Sequence, residues 1–348
     1  MTRTLGAEHL PVLARGFSWL GAGGGGSTLT LELMLRQRQP WPLTVHDAQE
    51  LSPATPAVAV GYAGSTYLMT ERLPDTALFA PLLAAAERWT GQAARAVCSI
   101  EGGGMNGLTP FLLAPHLQLV DADFTGRALP RFDQMTMFVD EVPGLLACVS
   151  TGAGGVCVIE ASRAQDVEAL VRSAVVCAGG VGPVLIAGFT VGQLAEHAIT
   201  GGLERALAVG RVDPSGPPAE VAAAVGGRYV GGGRVESVTP GVSDPYASSA
   251  LMVGDDGTVL RLISHTEFLA VQRDGAVIAS APEVIVCLDP STNEILEVQG
   301  IHPARRVEIF ALPAPSWWSA RPHRLAHVTP AAYGVQGLDQ EGAACSTP

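Results

Sequence analysis

The spacing of apolar side chains changes character twice along this chain. Over residues 8–20 they recur at helical spacing, and the pattern runs into Gly21-Ala22-Gly23-Gly24-Gly25-Gly26-Ser27-Thr28, beyond which residues 29–37 repeat it. A β-like run at 57–61 and an Ala- and Leu-rich helical stretch at 76–95 come next. Two short apolar runs, 97–100 and 117–120, read as buried strands, with one or two helical turns between them at 109–114. Strands alternating with helices predict an α/β layer with a partly parallel sheet, in an order too irregular for a Rossmann fold.

Helical spacing returns over 164–178 and 190–209, on either side of Gly179-Gly180-Val181-Gly182-Pro183, and Pro214-Ser215-Gly216-Pro217-Pro218 reads as a break or linker. Beyond it the pattern becomes β: short runs at 228–238, 249–253, 258–264, 268–273, 276–279, 283–288 and 306–311 are divided by turn signals such as Gly254-Asp255-Asp256-Gly257 and Arg273-Asp274-Gly275. A β-sandwich or barrel-like unit is expected there. The fold class is therefore α/β: an N-terminal α/β domain with a partly parallel sheet over 1–165, then a helical connection and a mainly-β domain over 166–337. A disordered tail is expected at 338–348. There is no internal repeat and no coiled-coil heptad.

Composition narrows the function classes. The chain has 348 residues, 47% of them apolar and 16% charged, enough for a sizeable core. All 21 basic residues are Arg, so a P-loop lysine, a Schiff-base lysine and a pyridoxal-phosphate anchor are excluded. Neither a nucleotide nor pyridoxal phosphate is expected. The formal charge of -12 argues against nucleic acid and anionic membranes as partners. The N-terminus lacks an apolar signal core, and 181–195 is too short and too rich in Gly and Pro for a membrane span. Of six cysteines without a CxxC pair, the five in apolar runs are expected to be buried free thiols of a cytoplasmic protein, whereas Cys345 falls in the polar tail.

Three segments combine glycines with chemistry-bearing side chains. Gly24 and Gly25 lie in the first glycine run, whose N–H groups ahead of a helix suit an anion or simply form a tight turn. Glu101-Gly102-Gly103-Gly104-Met105-Asn106 comes after an apolar run and has the composition of a ligand-facing loop. Asp121-Ala122-Asp123 places two carboxylates on one side of a strand end, where they can share a proton, bind a cation, or divide into base and electrostatic partner. Arg127 is close enough in sequence to hold an anionic group or neutralise the pair. Weaker candidates are His265 with Glu267, the pair His323 and His327, Trp317-Trp318, and Cys98, whose apolar surroundings favour a structural thiol.

Taken together, the glycine run at 21–26, Glu101-Gly102-Gly103 with Asn106, and Asp121-Ala122-Asp123 through Gly126-Arg127-Ala128 and Pro130 resemble the S-methyl thiohydantoin desulfurase-like family in order and spacing. Arg273-Asp274-Gly275, Pro282-Glu283-Val284-Ile285 with Asp289, and Pro330-Ala331-Ala332-Tyr333-Gly334 extend the resemblance over residues 8–337, with Glu283 where Asp is common. It implies two domains, a small-molecule substrate, and a hydrolase that removes a methylthio group from a five-membered thiohydantoin-type ring, in association with hydantoin-degrading enzymes. On chemical grounds Asp121 or Asp123 is the expected base or cation ligand, and Glu101 the acid partner. Arg127 is the expected anion anchor, and Asn106 with Gly24, Gly25 and Gly103 supplies polar contacts to the substrate. A divalent metal and a homo-oligomer are left open. Two other functions remain: a non-catalytic accessory subunit of a hydantoinase/oxoprolinase-type enzyme, and a metal-dependent cyclic amidohydrolase.

Overall fold

The structure, a computed structural model, describes residues 2–38, 40–69, 76–241, 244 and 246–335. The tail expected at 338–348 lies outside the described residues. Two compact units form, the first from the described residues up to Leu20 together with Gly25–Arg211, the second from Gly21–Gly24 and the described residues from Val212 onward.

Nine strands of the first unit make one sheet: β1 (Arg3–Leu5), β2 (Leu43–His46), β3 (Pro56–Gly64), β4 (Ala96–Ser99), β5 (Gln118–Asp123), β6 (Leu146–Ser150), β7 (Val156–Ile159), β8 (Val181–Thr190) and β9 (Ile199–Thr200). The order is β1-β2-β5-β4-β3-β8-β6-β7, with β9 beside β5. The central strands β2, β5, β4 and β3 are parallel, and the flanking pairings are antiparallel. The α/β expectation of a partly parallel sheet therefore holds.

Both faces of this sheet are covered, and strand periodicity sorts the side chains between them. On β3, Val58 and Val60 join a core with helices Leu10–Leu20, Leu29–Arg38 and Ala80–Thr90, whereas Ala57 and Ala59 face a second core built with helix Ala164–Cys177 through Val167, Val171 and Val175. β8 divides in the same way, Leu185 to one core and Val184 with Ile186 to the other. A strand apolar on both faces has no alternation to reveal it, so residues 181–190 are legible in the sequence only as a glycine-rich joint before a helix. The expected helix 190–209 is corrected too: it is divided into Val191–His197, β9 and Gly202–Gly210, the break falling at Gly201 with φ of 78°.

The boundary expected at 165/166 falls within the first turn of helix Ala164–Cys177; that helix and β8 belong to the first unit, because one covers its sheet and the other pairs with β3 and β6. Packing divides the units after Arg211. Cys98, Cys148 and Cys287 are buried free thiols, but Cys157 and Cys177 are exposed. Cys157 lies on the sheet's edge strand and Cys177 ends a helix, where an apolar run need not be covered.

The second unit holds β10 (Arg228–Pro240), β11 (Ser248–Val253), β12 (Val259–Ser264), β13 (Phe268–Arg273), β14 (Ala276–Ser280), β15 (Val284–Asp289), β16 (Glu294–Leu296) and β17 (Arg306–Leu312). They form one antiparallel sheet in the order β14-β13-β12-β11-β10-β17-β15-β16. β13 and β15 also touch and share a core through Phe268, Val271, Ile285 and Cys287. Strands five places apart would be about 24 Å apart in a flat sheet, so the sheet curls around its own core, as the barrel-like expectation requires. Within this unit Phe268 N–H donates to the Ala22 carbonyl and Val298 N–H to that of Gly23, each at 2.8 Å.

Two glycines set the spacing of a helix pair in the first unit. Helices Leu10–Leu20 and Gly202–Gly210 cross so closely that a Cβ on Gly16 would lie 1.8 Å from the Ala206 carbonyl oxygen, and one on Gly210 would lie 1.9 Å from that of Val12. Neither obstacle is a flexible side chain, so the helices must separate to admit a methyl group. Gly16→Ala is expected to destabilise the protein by about 3 kcal/mol, measured as a lowered denaturant midpoint with an unchanged m-value.

Candidate active site

Adjacent parallel strands β4 and β5 end side by side, the usual place for a site in an α/β sheet. Val120 and Ala122 point into the second core, on the side of the sheet that also carries helix Ala164–Cys177. By alternation Asp121 and Asp123 point to the opposite side, the one covered by helices Leu10–Leu20 and Gly202–Gly210. The two carboxylates thus share one face, but they are held differently.

Asp123 is 3% exposed. Its Oδ1 accepts the Thr125 N–H at 2.8 Å and the Gly126 N–H, as the chain turns back after β5. Its Oδ2 sits between two glycines: a Cβ on Gly102 would lie 2.6 Å from it and one on Gly202 2.7 Å. Burial is the largest influence and pushes its pKa up to about 6, against the pull of those N–H groups; Asp121 adds to the rise and Arg205 opposes it. Asp121 Oδ1 instead accepts the Leu203 N–H at 2.9 Å, capping helix Gly202–Gly210. Burial raises its pKa as well.

Glu101 and Asn106 form a second buried pair. Glu101 Oε1 accepts the Leu129 N–H at 2.9 Å and Oε2 accepts Asn106 Nδ2 at 2.9 Å. The Asn106 amide also docks on β3 like a short ladder rung: Oδ1 accepts the Tyr62 N–H at 2.7 Å and Nδ2 donates to the Tyr62 carbonyl at 3.0 Å. Ser99 Oγ, 2.7 Å from the Glu101 carbonyl and 2.8 Å from that of Asn106, closes the loop at its base. Asn106 is therefore engaged on both sides by the protein.

Arg127 is wholly buried, with Nε donating to the Ala128 carbonyl at 2.9 Å. It lies within electrostatic reach of Arg205, which in turn interacts with Asp123. Arg205 goes unnoticed in the sequence because an arginine on an amphipathic helix has no distinguishing spacing; the Gly201-Gly202 doublet ahead of it is the available sign of a helix start. Gly103 is a close-approach glycine, since a Cβ there would meet the Leu20 carbonyl oxygen at 2.4 Å. Gly25, at φ of 76°, abuts Gly104, and its carbonyl accepts the Met105 N–H at 2.9 Å. Gly24 packs in the second unit, where a Cβ would lie 2.4 Å from Glu267 Oε1.

The weaker candidates are accounted for locally. Cys98 is fully buried, and burial together with the Asp123 charge raises its pKa well above the usual thiol range. In the second unit His265 Nε2 lies 3.1 Å from Asp244 Oδ2, with Tyr246 and Tyr333 against its ring, and buried Glu267 accepts the Thr266 hydroxyl at 2.6 Å. Trp318 is buried edge-on against Trp317, over whose ring the Arg324 guanidinium lies at 3.6 Å. Among the described residues no group of three or more His, Cys, Asp or Glu could hold a metal ion, and no helix is long and apolar enough to cross a membrane.

Two cavities adjoin the acidic loops. One of about 20 Å³ is bounded by Glu101, Asp121, Asp123, Gly102 and Gly202. Another of about 440 Å³ is lined by Tyr62 and Met105, next to Asn106.

The architecture is shared with a crystal structure of a protein from Chromobacterium violaceum, 20% identical, at a TM-score of 0.76 over 98% of this chain and 99% of that one. At that identity the likeness speaks for the fold alone. No curated protein matches. Family models match both parts of the chain, the S-Me-THD-like N-terminal domain at residues 8–161 and the S-Me-THD-like C-terminal domain at 161–341. Together these matches span residues 8–341, and the chain belongs to the S-Me-THD-like family.

Proposed function

We propose that the protein is a hydrolase that removes the methylthio group of an S-methyl thiohydantoin-type ring. The observation that carries this reading is the cavity of about 20 Å³ bounded by Glu101, Asp121 and Asp123. A space of that size holds one water, and it adjoins a carboxylate whose pKa is pushed up to about 6. A carboxylate tuned toward neutrality serves as a general base and, once protonated, as a general acid.

In this mechanism Asp123 takes one proton from the water as its oxygen attacks the ring carbon bearing sulfur. The tetrahedral adduct collapses with cleavage of the C–S bond, and protonated Asp123 returns its proton to the departing sulfur, giving methanethiol. The second water proton passes to the ring nitrogen, leaving a hydantoin carbonyl. Glu101, with both oxygens accepting N–H bonds, holds the loops in place rather than donating a proton. Asp121 fixes helix Gly202–Gly210 and so the position of Arg205, which favours the charged form of Asp123. Arg127 supplies positive charge for an anionic part of the substrate.

Thiol release from S-methyl thiohydantoins, followed with a thiol-reactive dye, tests the reading. Asp123→Asn is expected to lower kcat by about 10²–10⁴-fold, and an unaffected variant would remove this site from consideration. The wild-type rate is expected to rise with pH through about 6, the value to which burial lifts Asp123. In Arg205→Gln that limb moves to higher pH, because a charge favouring the carboxylate is lost. Stability gives an independent readout. Asp123 binds its proton more tightly folded than unfolded, so its contribution is full below about 3.8 and is lost as pH rises through about 6. Asp123→Asn should therefore gain about 2–3 kcal/mol relative to wild type between pH 4 and pH 7, measured by urea denaturation at both values.

A further inference from the structure

At the end of the first unit's sheet opposite the acidic loops lies a cavity of about 410 Å³, within the usual range for small-molecule sites. It sits where β3 begins and β8 ends, beside the last turns of helix Ala80–Thr90. Small residues leave the space: Ala86 on the helix, Ala187 and Gly188 on β8, and Gly144 just ahead of β6. β8 is bulged here, so that Ala187 and Gly188 together stand against the single residue Val58 of β3. Gly188, at φ of 88°, permits this, since a Cβ on it would lie 2.0 Å from the Gly144 carbonyl oxygen.

Three features of the wall favour positive charge. Two exposed carboxylates line it, Glu87 on the helix and Glu160 directly after β7. The exposed indole of Trp89 joins them, its Nε1 donating to Glu160 Oε2 at 3.2 Å, and an indole attracts a cation over its face. The helix ends here as well, where the Gly91 N–H donates to the Glu87 carbonyl at 2.8 Å, so the negative end of its dipole adds to the two carboxylates. Pro56, Val58, Leu83, Leu146 and Phe189 supply the apolar part of the lining.

We infer that this cavity is a second binding site, for a primary amine carrying a compact apolar body. An ammonium group offers three N–H donors to the carboxylates, and an attached ring gains contact with the apolar wall. A bare metal ion is a poorer match, because among the described residues no three His, Cys, Asp or Glu converge to hold one. Arg88 and Arg95, exposed neighbours in sequence of lining residues, are the groups that would reverse the preference for a cation. The site stands apart from the hydrolase reading and does not depend on it.

Calorimetry on the full chain with three probes of similar shape tests this: 2-phenylethylamine, 2-phenylethanol and 3-phenylpropanoate. The amine is expected to bind at least about fivefold more tightly than the alcohol, with the propanoate weakest. The amine should also shift the Trp89 indole N–H signal in a ¹⁵N spectrum, a signal that Trp89→Phe identifies by its loss among the five tryptophans. Glu87→Gln combined with Glu160→Gln changes two exposed positions, so the fold is retained while the amine loses its advantage over the alcohol. No binding, equal affinity for amine and alcohol, or tighter binding of the propanoate would overturn the assignment. So would an unmoved Trp89 signal, or a preference for the amine that survives in the double variant.

Discussion

A carboxylate taken out of water must be matched by donors or give up its charge, and around the ends of β4 and β5 the chain meets that demand three times. Asp123 takes N–H groups from the turn just after it, Asp121 takes the start of helix Gly202–Gly210, and Glu101 takes the Leu129 N–H and the Asn106 amide. The donors come from the loop after β5, from the Glu101 loop and from helix Gly202–Gly210, and Asn106 also bonds to Tyr62, so the same bonds that solvate the acids tie together the ends of β3, β4 and β5. For Asp123 the match is incomplete, since burial outweighs its donors. In the proposed reaction that residual imbalance is what lets it take up and return a proton.

The helix crossing at Gly16 and Gly210 serves the same arrangement from a distance. Asp121 can cap helix Gly202–Gly210 only if the helix comes down close to the sheet, and two missing side chains bring it there. Arg205, one turn along, is then fixed within reach of Asp123. Local structure, packing and electrostatics are in this way one chain of dependence, running from two glycines to the ionisation of a carboxylate.

How much of this can be read from the amino-acid order depends on whether the determining interaction is local. The curled sheet of the second unit is legible because strands such as β12 alternate buried and exposed residues between turn signals. The strand ends at Glu101 and Asp123 are legible because a short apolar run stops at an acid and glycines. β8 is not, since both its faces are covered, and the periodicity that marks a strand vanishes. Asn106 is recognisable as polar and loop-borne, but not as a clamp on Tyr62, a contact spanning 44 positions. Arg205 escapes for the same reason, its importance arising from a tertiary approach alone. The acids themselves stand out as a group, while their separate tasks emerge only from which N–H group each one faces.

Gly102 and Gly202 flank a single oxygen of Asp123 from segments a hundred positions apart, and neither can carry a side chain while that carboxylate is present. The two glycines are thus an imprint of the acid elsewhere in the chain. In a lineage that had abandoned Asp123 for a smaller residue, the steric veto would lift at both places together, and larger side chains would accumulate there by drift. The triplet of positions 102, 123 and 202 would then sort homologues into those keeping the buried acid and those that have lost it.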